Sequence, residues 1–95
     1  MTAPNIDMLD IRRRRALWRA SHRGTKELDV LIGDYASARV GLMSEADLAR
    51  FEAFLAADEP RLQRWLMGID PVIDCEFGDI VAAVRDFHDA RHERR

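Results

Sequence analysis

Arg23-Gly24-Thr25-Lys26-Glu27-Leu28-Asp29-Val30-Leu31-Ile32-Gly33-Asp34-Tyr35 is the stretch whose reading decides the fold. Leu28, Leu31, Ile32 and Tyr35 fall at i, i+3, i+4 and i+7, the spacing of one apolar face on an α-helix. Thr25 is placed to cap that helix with its hydroxyl. Glu27 then lies in the first turn, where the helix dipole favours an anion. Gly24 stands just before the cap and ends the element that precedes it. The chain therefore turns a tight corner between two helices at Arg23-Gly24. Glycine at such a corner permits φ > 0 and lets a partner approach closely.

Working outward, the upstream helix is predicted over 10–22, with Asp10 as its N-cap and Ile11, Leu17 and Trp18 as its apolar anchors. Residues 1–9, with Pro4 and Asn5 and no periodic pattern, read as a flexible tail. The second helix spans 25–39. Gly33 inside it costs ~1 kcal/mol relative to Ala and points to another helix passing close. Gly41 is its stop. Ser44 caps a third helix, with Asp47 at the capping-box position and Met43 and Leu48 at the staple positions. Leu48, Phe51, Phe54 and Leu55 face inward, and this helix ends near Ala57. A fourth runs from Pro60 to Met67 with Leu62, Trp65 and Leu66 inward, and Gly68 closes it. A fifth, over 77–91, puts Ile80, Val81, Val84, Phe87 and His88 on one face, and 93–95 fray. No segment alternates with period two; the brief Val72-Ile73 piece does not count as a strand. The expected fold is all-α, a compact bundle of five short helices forming one domain over 10–92.

The chain has 95 residues, 47% of them hydrophobic, which supports one domain with a modest core. A body of this size is not expected to hold a deep cofactor pocket, which argues against an enzyme. Cys75 is the single cysteine, so no intramolecular disulfide forms. No apolar run approaches the ~20 residues that span a bilayer, and the N-terminus lacks a secretory pattern. A bacterial cytoplasm is the expected compartment. Charge is uneven: residues 1–26 carry seven Lys/Arg against two Asp, and the remainder carries eight basic and fifteen acidic residues. Such asymmetry suggests a partner with an acidic face.

Cys75, His88 and His92 are the only candidate metal set. A structural zinc site needs four ligands, with cysteines paired at short spacing, so no metal is expected. Cys75 also has no signal for the base and orienting group of a catalytic pair. No glycine-rich phosphate loop is present. Arg12, Arg13, Arg14 and Arg15 point in all directions around a helix and lack interleaved aromatics for base stacking. The pI of about 5.9 is far from that of basic nucleic-acid modules. A small nucleic-acid-binding or antitoxin-like regulator using the basic first helix is the alternative reading, and no nucleic acid is the expectation.

By itself, Arg23-Gly24-x-x-Glu27 is a short pattern that occurs by chance. Its setting is more specific: Arg15-Ala16-Leu17-Trp18 before it, Leu28-Asp29 and Leu31-Ile32-Gly33 after it, then Leu42-Met43-Ser44-Glu45, Phe51-Glu52 and Trp65-Leu66-Met67-Gly68. In this order and spacing, over roughly 11–90, the chain resembles the SdhE-type flavinylation factors of succinate dehydrogenase. The resemblance implies a five-helix bundle and an assembly factor, not an enzyme. It implies binding to the flavoprotein subunit of succinate dehydrogenase, with fumarate reductase as a second candidate, and covalent attachment of FAD to a histidine there. FAD belongs to the partner, and this chain binds no cofactor tightly. It does not enter the membrane, and a monomer is expected when it is free.

The resemblance carries a partner-binding role onto Arg23, Gly24 and Glu27, and onto Arg15 as a matching basic position. Thr25 departs from the family, where a bulky apolar residue such as Met is common. Gly24 is expected to permit close backbone approach by the partner. A Gly24→Ala change would then disturb docking with little effect on the isolated fold. Glu27 is read as a docking residue and not a catalytic base, because no pocket is expected around it.

Overall fold

The computed structural model describes residues 8–71 and 76–93, with the backbone only for 92 and 93. The elements are α1 (Met8–Ser21), α2 (Lys26–Arg39), a 3-10 turn (Val40–Leu42), α3 (Glu45–Leu55), α4 (Glu59–Leu66) and α5 (Gly78–Glu93). Five helices and no strand among the described residues make the predicted all-α bundle. Residues 1–7 of the predicted tail, Val72-Ile73, Cys75, the His92 side chain and residues 94 and 95 lie outside the described residues.

The helix boundaries follow local chemistry. Thr25 caps α2 by accepting the Leu28 N–H at 3.2 Å, and Ser44 caps α3 by accepting that of Asp47 at 3.1 Å. Pro60 lies in the first turn of α4. Gly68, at φ 74°, ends α4 with two bonds, Gly68 N–H to Trp65 O at 3.1 Å and Ile69 N–H to Arg64 O at 2.8 Å. Those two bonds are the Schellman arrangement, which needs a left-handed residue at this position.

The core contains Leu28, Ile32 and Ala36 of α2, Leu48, Phe51, Phe54 and Leu55 of α3, Leu62, Trp65 and Leu66 of α4, and Ile80, Val81 and Val84 of α5. Phe54 bridges to Phe77, ring centroids 5.8 Å apart, which brings the start of α5 onto α3. Leu31 and Tyr35 of the predicted stripe are only partly buried and pack on the margin of this core.

The first helix differs from expectation in both start and facing. It begins at Met8, so Asp10 lies within its first turn and is not the cap, and residues 8 and 9 are not tail. Its buried residues are Ala16 and Ala20, whereas Leu17 is 37% and Trp18 62% exposed. Leu9, Arg13, Ala16 and Ala20 form the inward face, spaced four, three and four apart. Small residues lie there because α1 crosses α2 at close range. A Cβ at Gly33 would stand 3.0 Å from Ser21 Oγ and 3.2 Å from Ser21 Cα, so Gly33 does admit a neighbouring helix.

The sequence-level charge imbalance is partly folded back on itself. Arg12 of α1 donates to Glu52 of α3 at 2.7 Å and 3.2 Å and reaches Glu45 at 3.4 Å. Arg13 donates to the Met43 carbonyl at 2.9 Å, tying α1 to the segment after the 3-10 turn. Two of the four consecutive arginines are therefore engaged within the bundle.

Candidate functional site

The corner at Arg23-Gly24 is closed by residues distant in sequence. Arg23 Nε donates to Glu59 Oε1 at 3.0 Å, and the Gly24 N–H donates to Glu59 Oε2 at 2.6 Å. One carboxylate thus accepts a guanidinium and a backbone amide at once. Charge-assisted bonds of this kind are roughly twice as strong as neutral ones. On the other side, the Arg23 N–H donates to the Asp29 carboxylate of α2. The Arg23 side chain is only 11% exposed.

This geometry revises the expectation for Gly24. Gly68 is the only glycine with positive φ among the described residues, so Gly24 is not there for a left-handed backbone. It is there for proximity, but to Glu59 of the same chain. A Cβ at position 24 would overlap Glu59 Oε2 and stand 3.3 Å from its Cδ. A Gly24→Ala change therefore makes the Glu59 carboxylate swing aside and give up the bond from the Gly24 N–H, so the change acts on a contact within the chain. Arg23 likewise faces Glu59 and not open solvent.

Glu27 stands apart from that pair. It is exposed, in the first turn of α2, where the aligned peptide dipoles favour its charge. It also rims an open groove lined by Lys26, Glu27, Val30, Leu31, Leu66, Met67 and His88. The expectation that no pocket adjoins Glu27 is thus corrected. The groove is shallow and apolar along its floor, and Val30 and Met67 are 45% and 36% exposed. It brings the Glu27 carboxylate, the Lys26 ammonium and the His88 imidazole together with the aliphatic surface of Val30, Leu31, Leu66 and Met67, a composition that can receive a protein side chain.

Arg15 is exposed, with no ion-pair partner among the described residues. Arg15 and Arg19 both draw the Glu52 carboxyl below its ordinary value, after the larger effect of the Arg12 hydrogen bond. Arg12, Arg15 and Arg19 therefore share the side of α1 that looks toward α3. Leu17 and Trp18 sit on outward positions, and Trp18 stacks on His22 with centroids 4.2 Å apart and rings within 11° of parallel. His22 Nδ1 lies 2.7 Å from the Trp18 carbonyl, which closes the end of α1 just before the corner. The sequence reading placed Leu17 and Trp18 in the core and gave Glu59 no role. An inward face of α1 built on the small residues Ala16 and Ala20, and a carboxylate 35 positions from Gly24, carry no strong local signal.

No group of three or more metal-ligating side chains occurs among the described residues. No helix among them is long and apolar enough to cross a membrane.

A family profile described as "flavinator of succinate dehydrogenase" matches residues 14–88. The chain is 42% identical over 66 residues to a protein of Acetobacter pasteurianus named FAD assembly factor SdhE, a match covering 70% of this chain and 61% of that one. It is 40% identical over 68 residues to the protein of that name from Xylella fastidiosa, covering 72% and 69%. With the Legionella pneumophila (strain Paris) protein of the same name, identity is 32% over 72 residues, covering 76% and 89%. The chain thus spans less than two thirds of the Acetobacter relative's length. No solved structure matches it. The matched span contains all five helices in part or whole, including the Arg23-Gly24 corner, Glu27 and Glu59, and the chain belongs to the family of flavinators of succinate dehydrogenase.

Proposed function

We propose that this chain is an assembly factor that docks on the flavoprotein subunit of succinate dehydrogenase and promotes covalent attachment of FAD to a histidine of that subunit. The observation that carries this reading is the corner itself. Within a family of flavinators, Arg23 and Gly24 are locked internally while Glu27 is presented at the rim of an apolar groove. The arrangement displays one carboxylate in a fixed direction beside a place for an apolar side chain.

Covalent flavinylation needs a histidine nitrogen aligned with the flavin methyl carbon. Holding such groups in register lowers a barrier by up to about 7–11 kcal/mol in well-oriented intramolecular reactions. The factor's part is that orientation. The flavoprotein and its FAD keep the bond-forming chemistry, and this chain carries no cofactor and no catalytic residue of its own. Glu27 accepts a hydrogen bond from the partner, and Val30 and Met67 give apolar contact that compensates for the small Thr25. Arg15 meets an acidic group. The free factor is a monomer in the bacterial cytoplasm, and fumarate reductase is a second client.

Deleting the coding sequence and measuring covalently bound flavin in the denatured flavoprotein tests this reading. Loss of bound flavin, restored by the intact chain, is the expected result. Undiminished flavin in the deletion strain overturns it.

A further inference from the structure

The geometry points to Glu59 as the positioning residue of the docking surface, the group through which Arg23 and Gly24 act. This inference rests on the proposed function for its binding readout only.

Three observations converge on Glu59. Its carboxylate accepts from Arg23 Nε at 3.0 Å and from the Gly24 N–H at 2.6 Å, so both leading residues of the motif end on one side chain. A methyl at Gly24 would overlap that same carboxylate, so a larger residue there must displace Glu59 from the corner. The third concerns place: Glu59 is the first residue of α4, where the helix dipole supports its charge. Leu66 and Met67 at the other end of α4 form part of the groove beside Glu27. The Glu59 bond therefore joins the loop that launches α2 to the helix that supplies the opposite wall. Removing it frees the two walls to shift relative to each other, and Glu27 with them. Arg23 and Gly24 set the shape, Glu59 holds it, and Glu27 faces the partner.

A double-mutant cycle decides between this and direct contact of Gly24 with the partner. Wild type, Gly24→Ala, Glu59→Ala and the double variant are each titrated against the purified flavoprotein subunit of succinate dehydrogenase. The temperature is one at which circular dichroism shows every variant fully folded. Each single change is expected to weaken docking about tenfold, and Gly24→Ala is expected to add less than about twofold in the Glu59→Ala background, a coupling typical of residues in contact. Glu59→Gln keeps an acceptor for the Gly24 N–H and is expected to recover part of the loss. Equal losses from Gly24→Ala in both backgrounds, or wild-type docking by Glu59→Ala, overturn the inference.

Amide spectra of the free chain give a second readout that needs no partner. Gly24→Ala is expected to shift the signals of residues 23–28 strongly when Glu59 is present and weakly when it is Ala. Equal shifts in both backgrounds overturn the inference. Failure of the wild-type chain to bind the flavoprotein overturns the proposed function instead, while the spectra still decide the role of Glu59.

Discussion

Ser21 of α1 rests against Gly33 of α2 so closely that a Cβ at position 33 would stand 3.2 Å from the Ser21 Cα. The neighbour is backbone and cannot rotate away. Gly33→Ala gains up to about 1 kcal/mol of helix propensity but meets an over-packing cost of about 1–3 kcal/mol. The expected net is a loss of about 1 kcal/mol, read as a lower urea midpoint. Gly41 is the internal control. Nothing lies within 4 Å of its Cβ position, and its φ is not positive. Gly41→Ala is expected to stabilise by about 0.4–1 kcal/mol through the unfolded chain.

The Arg12–Glu52 pair sets a pH dependence. Its hydrogen bond is the largest influence on Glu52 and holds that carboxyl below its ordinary value near 4.5. The folded chain therefore takes up a proton at Glu52 less readily than the unfolded chain. Stability from the pair is fully present above the ordinary value and is lost as pH falls through the lower folded value. Asp70 beside Arg64 and Asp79 beside Arg50 act with the same sign from exposed positions, where solvent weakens them. Thermal midpoints of wild type and Arg12→Met are expected to differ at neutral pH and to converge in acid below the ordinary carboxylate range. A difference that stays constant with pH contradicts the coupling.

Glu27 separates stability from docking. The side chain is exposed, so Glu27→Ala forfeits only its favourable place at the α2 N-terminus, about 0.3–1 kcal/mol. Flavinylation in a deletion strain carrying this variant is expected to fall severalfold or more, with a nearly unchanged unfolding midpoint. Full flavinylation removes Glu27 from the docking surface.

Trp18 is expected to behave similarly on α1. Its contact with His22 is a surface stack worth about 0.5–1.5 kcal/mol. Trp18→Ala therefore leaves the core intact. If the outward side of α1 is covered in the complex, the same variant weakens flavoprotein binding by about tenfold or more, as buried aromatic anchors do. Titration calorimetry of the variant against the flavoprotein measures the difference.

The parts of the fold legible in the sequence were those governed by local chemistry. Thr25 and Ser44 announce helix starts because a hydroxyl must meet an orphan N–H, and Gly68 announces a stop because only glycine turns left without strain. The stripes of α3, α4 and α5 read directly because their partners are large apolar side chains. Helix α1 did not read that way. Its buried residues are Ala16 and Ala20, small side chains on a helix whose end, at Ala20 and Ser21, passes close to Gly33, while the bulkier Leu17 and Trp18 face outward. At the site, Glu27 was legible as a first-turn anion. The lock on Arg23 and Gly24 was not, because Glu59 reads locally as part of an Asp-Glu-Pro helix start and reaches the corner only after the bundle has formed.

The two tryptophans divide the molecule for spectroscopy. Trp65 is 7% exposed beneath the Arg61 guanidinium, 4.9 Å from its ring centre, while Trp18 lies open to solvent. Red-edge emission and sensitivity to a soluble quencher such as iodide belong to Trp18. Blue-shifted, shielded emission belongs to Trp65. A Trp65→Phe chain then reports what touches α1, and a Trp18→Phe chain reports whether the bundle is intact, so each event is followed optically without attaching a dye.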